Sequence, residues 1–146
     1  MLKKTFYEKS TNHCLYRAFI NDLCASPPST GIWELKKTKN AQGAVQEFAF
    51  GVYKIFSNDG KFSNMQLTPN GAILTHQGVF ELSDSSTYLE NVTNQQTGSH
   101  IDKAQTQLNY KLSENGDVLT LEGLIKMQGG AYNFKLYEEW QKVKLH

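Results

Sequence analysis

The sequence predicts an all-β domain: an eight-stranded antiparallel up-and-down barrel preceded by a short N-terminal arm or helix. Three observations carry that prediction. From Gly31 onward apolar residues recur at every second position, as they do in strands with one buried face. Turn signals such as Asn58-Asp59-Gly60, Asn70-Gly71 and Asn115-Gly116-Asp117 separate the alternating runs. Eight such runs occur, and an antiparallel meander of eight strands removes its exposed edges by closing on itself.

The chain has 146 residues, one ordinary domain able to bury roughly two-thirds of the surface its unfolded form exposes. Fifteen basic and fourteen acidic residues leave a formal charge of +1, so no strong field invites a polyanion. No nucleic-acid partner is expected. Hydrophobic residues make up 39% of the chain, with eight Phe, seven Tyr and two Trp, ample for a core. No apolar run is long enough to span a bilayer as a helix, so no membrane span is expected.

Residues 1–30 form the arm. Leu15, Phe19, Ile20 and Leu23 fall at helical spacing, and Ser26-Pro27-Pro28-Ser29 would end such a helix and act as a stiff linker. The segment reads as a short amphipathic helix or a loosely held arm, with plain disorder as the alternative. It opens Met-Leu-Lys-Lys, as a bacterial signal peptide does, but His13, Arg17, Asn21 and Asp22 interrupt the apolar stretch that export requires. Cys14 and Cys24 both lie here. A disulfide between them needs the chain to bend back, and their spacing matches neither a redox pair nor a zinc site.

The barrel domain, 31–146, divides into strands at roughly 32–38, 47–57, 61–69, 72–83, 86–92, 106–113, 117–127 and 131–143. In the hairpin around Asn58-Asp59-Gly60, pairing Ser57 with Lys61 sets Phe56 opposite Phe62 and Tyr53 opposite Met65 on the other face. Leu119, Leu121, Gly123, Ile125 and Met127 share a face, as do Leu108, Tyr110 and Leu112, and both faces are expected to point inward. Gly129-Gly130 joins the last two strands. There the even positions Tyr132, Phe134, Leu136, Glu138, Trp140 and Lys142 share a face, so either Glu138 is an internal carboxylate or a bulge shifts the register.

Gly31-Ile32-Trp33 at the first strand, a strongly β chain and a tryptophan in the last strand together resemble the lipocalins and the wider calycin superfamily. Tyr53-Lys54-Ile55-Phe56-Ser57-Asn58-Asp59-Gly60-Lys61-Phe62, Gly71-Ala72-Ile73-Leu74-Thr75 and Tyr137-Glu138-Glu139-Trp140-Gln141-Lys142-Val143 resemble more closely the bacterial lipocalin-like families of unknown function. The likeness covers about Gly31 to Val143. It implies that Trp33 plugs the closed end of the barrel, under a cation from the last strand. Lipocalins use arginine there; this chain offers Lys142, which makes a cation–π contact but lacks the flat stacking surface. The resemblance also implies export, for which the sequence holds no convincing signal.

An eight-stranded barrel either fills with side chains or holds one small apolar ligand. Phe48, Phe50, Phe56, Phe62, Phe80, Tyr110, Tyr132 and Phe134 serve as core in the first case and as walls in the second. His76 is the polar residue of most interest, because the alternation Leu74, His76, Gly78, Phe80, Leu82 sets it on an apolar face. There an imidazole can ligate haem iron or bond a ligand head group; the plainer reading is a histidine bonded to a neighbouring strand or facing solvent beside a bulge. Glu138 with Tyr53 or Tyr137 would make a buried acid and hydroxyl pair, against a rim carboxylate bridged to Lys54 or Lys135. His13, His100 and His146 show no paired-histidine spacing, so no metal site is expected. No serine elbow or phosphate-cradling glycine loop appears, so no enzyme and no cofactor is expected. The polar connections Lys36 to Gln46 and Thr93 to Gln105 read as lids or as ordinary surface loops.

The function expected from these features is binding of a small hydrophobic molecule in a lipocalin-like barrel. Its candidate lining is Tyr53, Phe62, Met65, His76, Phe80, Tyr110, Tyr132, Phe134 and Glu138. A module with a filled core that contacts another protein is the first alternative; a calycin-type haem protein or enzyme using His76 is the second. An internal void above about 300 Å³ favours binding, a solid core the interaction module, and a Soret band lost in His76→Ala the haem protein.

Overall fold

The structure is a computed structural model, and it describes residues 29–48, 51–83, 86–95, 105–126 and 133–144. The arm with Cys14 and Cys24, Phe50, the segment 96–104, Met127, Gly129-Gly130 and Tyr132 lie outside the described residues, as does the side chain of Phe134.

Among the described residues nine strands follow one another: β1 (Gly31–Lys39), β2 (Val45–Glu47), β3 (Val52–Phe56), β4 (Lys61–Thr68), β5 (Gly71–Leu82), β6 (Thr87–Gln95), β7 (Gln105–Leu112), β8 (Val118–Lys126) and β9 (Asn133–Lys142). Every pairing is antiparallel, and β1 pairs with β9 to close an eight-stranded barrel. The three-residue β2 lies on the same edge of β1 as β3. The strand expected at 47–57 is therefore broken. Gly51 takes a φ of +104° at the break, where its carbonyl accepts a hydrogen bond from Leu67 N at 2.6 Å, and Phe48 stands 37% exposed instead of entering the core.

The β3–β4 hairpin adopts the expected register. Phe56 faces Phe62, Tyr53 faces Met65, and Gly60 has a φ of +76°, the left-handed geometry that glycine accepts without a Cβ clash. The next turn lies one residue earlier than expected. Thr68 pairs with Gly71, so the two loop residues are Pro69 and Asn70. Proline supplies the fixed φ of a turn there without losing a ladder hydrogen bond, and Thr68 Oγ1 accepts from Asn70 N while donating to Gly71 O.

Register shifts bend the wall between Leu35 and Lys37, between Asn64 and Met65 opposite Thr75, and between Gln77 and Gly78 opposite Thr93; the Asn64–Met65 shift comes second along the chain. The second corrects the face expected for β5. The extra residue at Thr75 turns Leu74 outward, 47% exposed, while His76 stays on the interior side with Gly78 and Phe80. Gly78 lies so close to β6 that a Cβ there would meet the Asn91 carbonyl oxygen at 2.0 Å, so the wall passes through a position only glycine fills.

The core lies toward the end of the barrel that carries the 57–60, 83–86 and 113–117 connections. Trp33, Leu35, Phe56, Phe62, Phe80, Tyr88, Leu119, Leu121 and Trp140 are buried there. Phe56 and Phe80 meet at 4.6 Å between ring centroids, tilted by 57°, and Tyr88 closes the group at 6.0 Å and 6.2 Å. Trp33 seals this end: it is fully buried, and its indole N–H donates to Ser29 O at 2.6 Å. Lys142, its cross-strand partner, holds its ammonium 5.3 Å from the ring centroid, the cation–π contact expected of it.

Candidate functional site

Above the aromatic layer the barrel interior changes character. Lys54, on the same face of β3 as Val52 and Phe56, is only 3% exposed and points into the barrel. Its ammonium meets Glu90 Oε2 of β6 at 2.6 Å and lies 5.1–5.8 Å from the ring centroids of Phe62, Tyr88, Trp140 and Phe56. Tyr88 donates its hydroxyl to the same carboxylate oxygen of Glu90. A buried lysine head group gives up its hydration, and around Lys54 a carboxylate and four rings stand in place of water.

Glu138 projects from β9 into the same layer. The β8–β9 ladder runs from Val118↔Gln141 to Lys126↔Asn133 without a shift, so Glu138 keeps the face of Leu136 and Trp140. It is the internal carboxylate, the first of the two readings open from sequence. Trp140 Nε1 donates to Glu138 Oε2 at 3.0 Å. Burial lifts its pKa above the ordinary 4.5; Lys54 pulls it down, Glu90 adds to the rise, and the Trp140 bond opposes it. The hydroxyls expected to partner it lie on the outer face. Tyr53 stands on the outer face, and Tyr137 sits over Glu139 at 3.5 Å with Lys39 stacked on its ring. Lys135 is exposed on that outer side too.

These groups floor a cavity of about 260 Å³. Lys54, Asn64, His76, Glu90, Thr106 and Glu138 supply its polar lining, and Val92, Leu108, Ile125 and Leu136 its apolar wall. Burial pushes the His76 imidazole below the ordinary 6.5, with Glu90 raising it and Lys54 lowering it further, so the neutral ring is favoured. Asn64 Oδ1 is buried and, among the described residues, has no hydrogen-bond partner. At about 260 Å³ the cavity falls short of the roughly 300 Å³ expected to favour binding, and it has room for a small molecule only. A larger groove of about 630 Å³ runs along the outer wall beside Leu89, Gln105, Gln107, Asn109 and Leu124, but it is open to solvent and walled by side-chain amides.

Of the nine residues expected to line a ligand site, His76 and Glu138 border the cavity. Phe62 and Phe80 are packed in the filled half, and Tyr110 packs against that core from β7. Tyr53 and Met65 oppose one another on the outer face. Tyr132 and the Phe134 side chain lie outside the described residues. The sequence reading missed Lys54 and Glu90 as interior groups. The signal was present: once Phe56 is set inward opposite Phe62, alternation carries Lys54 inward, and Glu90 stands between Tyr88 and Val92 on the same face.

The cavity lies toward the barrel end that carries the 40–44 and 69–70 connections. The first of these is shorter than the entrance loop expected from Lys36 to Gln46, because β1 continues to Lys39 and β2 begins at Val45. Asn40 closes it as a tight turn, its Oδ1 accepting from Gln42 N and Ala44 N. Among the described residues no group of three or more His, Cys, Asp and Glu side chains is placed to hold a metal ion. No helix among them is long and apolar enough to cross a membrane.

Residues 29–146 match the sequence model of a family described as a domain of unknown function, DUF4488. No curated protein matches the chain.

Proposed function

We propose, for a chain that belongs to the DUF4488 family of domains of unknown function, that the barrel is a non-enzymatic binder of a small, mainly apolar molecule. The ligand sits in the open half, its tail against Val92, Leu108, Ile125 and Leu136 and its polar end on the layer of Lys54, Glu90 and Glu138. The observation that carries this reading is a void of about 260 Å³ kept directly above buried charges. A core serving stability alone gains more from apolar side chains of similar volume than from a buried ion pair beside a cavity.

The lipocalin-like and calycin relationship belongs to this proposal. It is supported by the eight-stranded closure, the buried Trp33 at the sealed end and Lys142 above its indole. Native mass spectrometry of protein purified from its own host tests the function. A small molecule that co-purifies and leaves on denaturation is the expected result. Repeated recovery of empty protein that also fails to take up small amphiphiles would sink the binder reading in favour of an interaction module.

A further inference from the structure

We infer that the cavity selects amphiphiles whose polar end is a hydrogen-bond-donating cation, a primary ammonium in the simplest case, seated between Glu138 and Asn64. The inference rests on the binder reading and adds the chemistry of the head group.

The argument is one of charge and of unmet acceptors. Lys54 is engaged within the protein, bonded to Glu90 at 2.6 Å and enclosed by four aromatic rings. Glu90 receives both Lys54 and the Tyr88 hydroxyl on one oxygen. Glu138 receives the neutral indole N–H of Trp140 and forms no ion pair among the described residues. One ammonium therefore faces two carboxylates, and an ionised Glu138 leaves the floor with one negative charge in excess. Asn64 Oδ1, on the same cavity, is a buried acceptor without a donor. Asn64 lacks a donor and Glu138, which holds the Trp140 N–H, lacks an ion pair among the described residues; an ionised carboxylate and an amide oxygen both accept hydrogen bonds.

A ligand carboxylate would bring a third acidic group beside Glu90 and Glu138, and an alcohol would satisfy Asn64 while leaving an ionised Glu138 without a counter-charge of its own. An ammonium satisfies both. The groups that face Glu138 from the packed strands agree with this. Lys54 comes from β3, His76 from β5, Tyr88 and Glu90 from β6 and Thr106 from β7, and the burial that favours neutral His76 removes a competing positive charge. Burial raises the pH at which Glu138 loses its proton above the ordinary carboxylate range. Entry of R–NH₃⁺ favours the ionised carboxylate, so any proton that Glu138 still carries at the working pH passes to solvent.

The test is calorimetric titration of the full chain with hexylamine, hexanol and hexanoate, three probes of one length and different heads. Hexylamine is expected to bind roughly tenfold or more tightly than hexanoate, the scale of one charge-assisted hydrogen bond. Measured on the acid side of the Glu138 titration, its heat should vary with the ionisation enthalpy of the buffer, reporting proton release, while the heat of hexanol should not. Glu138→Gln should keep hexanol binding and lose the preference for amine. Hexanoate binding as well as or better than hexylamine overturns the head-group inference and leaves the binder reading standing; failure of all three probes overturns both. Amine preference persisting in Glu138→Gln also overturns it. Should that variant not fold, the order of the three probes and the buffer dependence of the wild-type heat decide the matter.

Discussion

The two halves of the barrel are built from the same alternating strands but hold different interiors. At the Trp33 end, rings from six strands, β1, β3, β4, β5, β6 and β9, fill the space, sealed by the Trp33 bond to Ser29 and the Lys142 ammonium. At the other end the same inward positions carry Lys54, Asn64, His76, Glu90 and Glu138, and a void remains above them. The difference shows that strand pairing fixes which positions face inward and leaves their chemistry free. One half holds the fold, so the other can carry groups whose burial costs stability.

Truncations should separate the halves most strongly. Phe56→Ala in the filled half is expected to cost about 3–5 kcal/mol, whereas Leu136→Ala, whose side chain already borders a void, should cost about 1 kcal/mol. Urea denaturation of both variants checks this, and equal losses would abolish the distinction. The charged floor comes next. Lys54→Met keeps the volume but strands Glu90, and should cost about 3 kcal/mol. Adding Glu90→Gln should restore much of that loss, because the double variant buries no unpaired charge. A double variant no more stable than the single one would mean that the ammonium mattered for its packing among the rings alone.

The pH dependence has opposite signs for two groups of the open half. Glu138 keeps its proton in the fold at pH values where the unfolded chain has lost it, so the native state binds more protons and stability falls as pH rises above the ordinary 4.5 through the raised value. His76 is lowered, so the unfolded chain binds more protons and stability falls as pH drops through the ordinary 6.5. In urea midpoints measured across pH, Glu138→Gln should gain on wild type as pH rises from the acid side. His76→Gln should gain on wild type as pH falls below neutrality. Parallel curves for all three proteins would contradict the burial assigned to both groups. The smallest effect is at the seal: Lys142→Met should lose about 0.5–1 kcal/mol with its cation–π contact.

Much of the filled half was legible in the sequence, because alternation and turn chemistry are local. Ser57 N bonded to Lys61 O, Phe56 opposite Phe62 and Gly60 in the left-handed region all follow from ten consecutive residues. The open half depended on features that are not local. The extra residue at Thr75 that separates the faces of Leu74 and His76 is a matter of pairing with β4, and nothing in the β5 alternation announces it. Lys54 and Glu90 lie 36 positions apart and meet only across the closed barrel, so each alone reads as a surface charge. Pro69 moved a turn by one residue because a missing N–H outweighed the Asn-Gly signal.

The two tryptophans allow the central claim to be measured directly, since Trp33 seals the filled end and Trp140 bonds the cavity carboxylate Glu138. Their indole N–H resonances, followed by nuclear magnetic resonance during titration with hexylamine, report on the two halves separately. A ligand in the open half shifts the Trp140 signal saturably and leaves that of Trp33 in place. Equal movement of both, or saturable binding that leaves Trp140 unmoved, would contradict a cavity floored by Glu138.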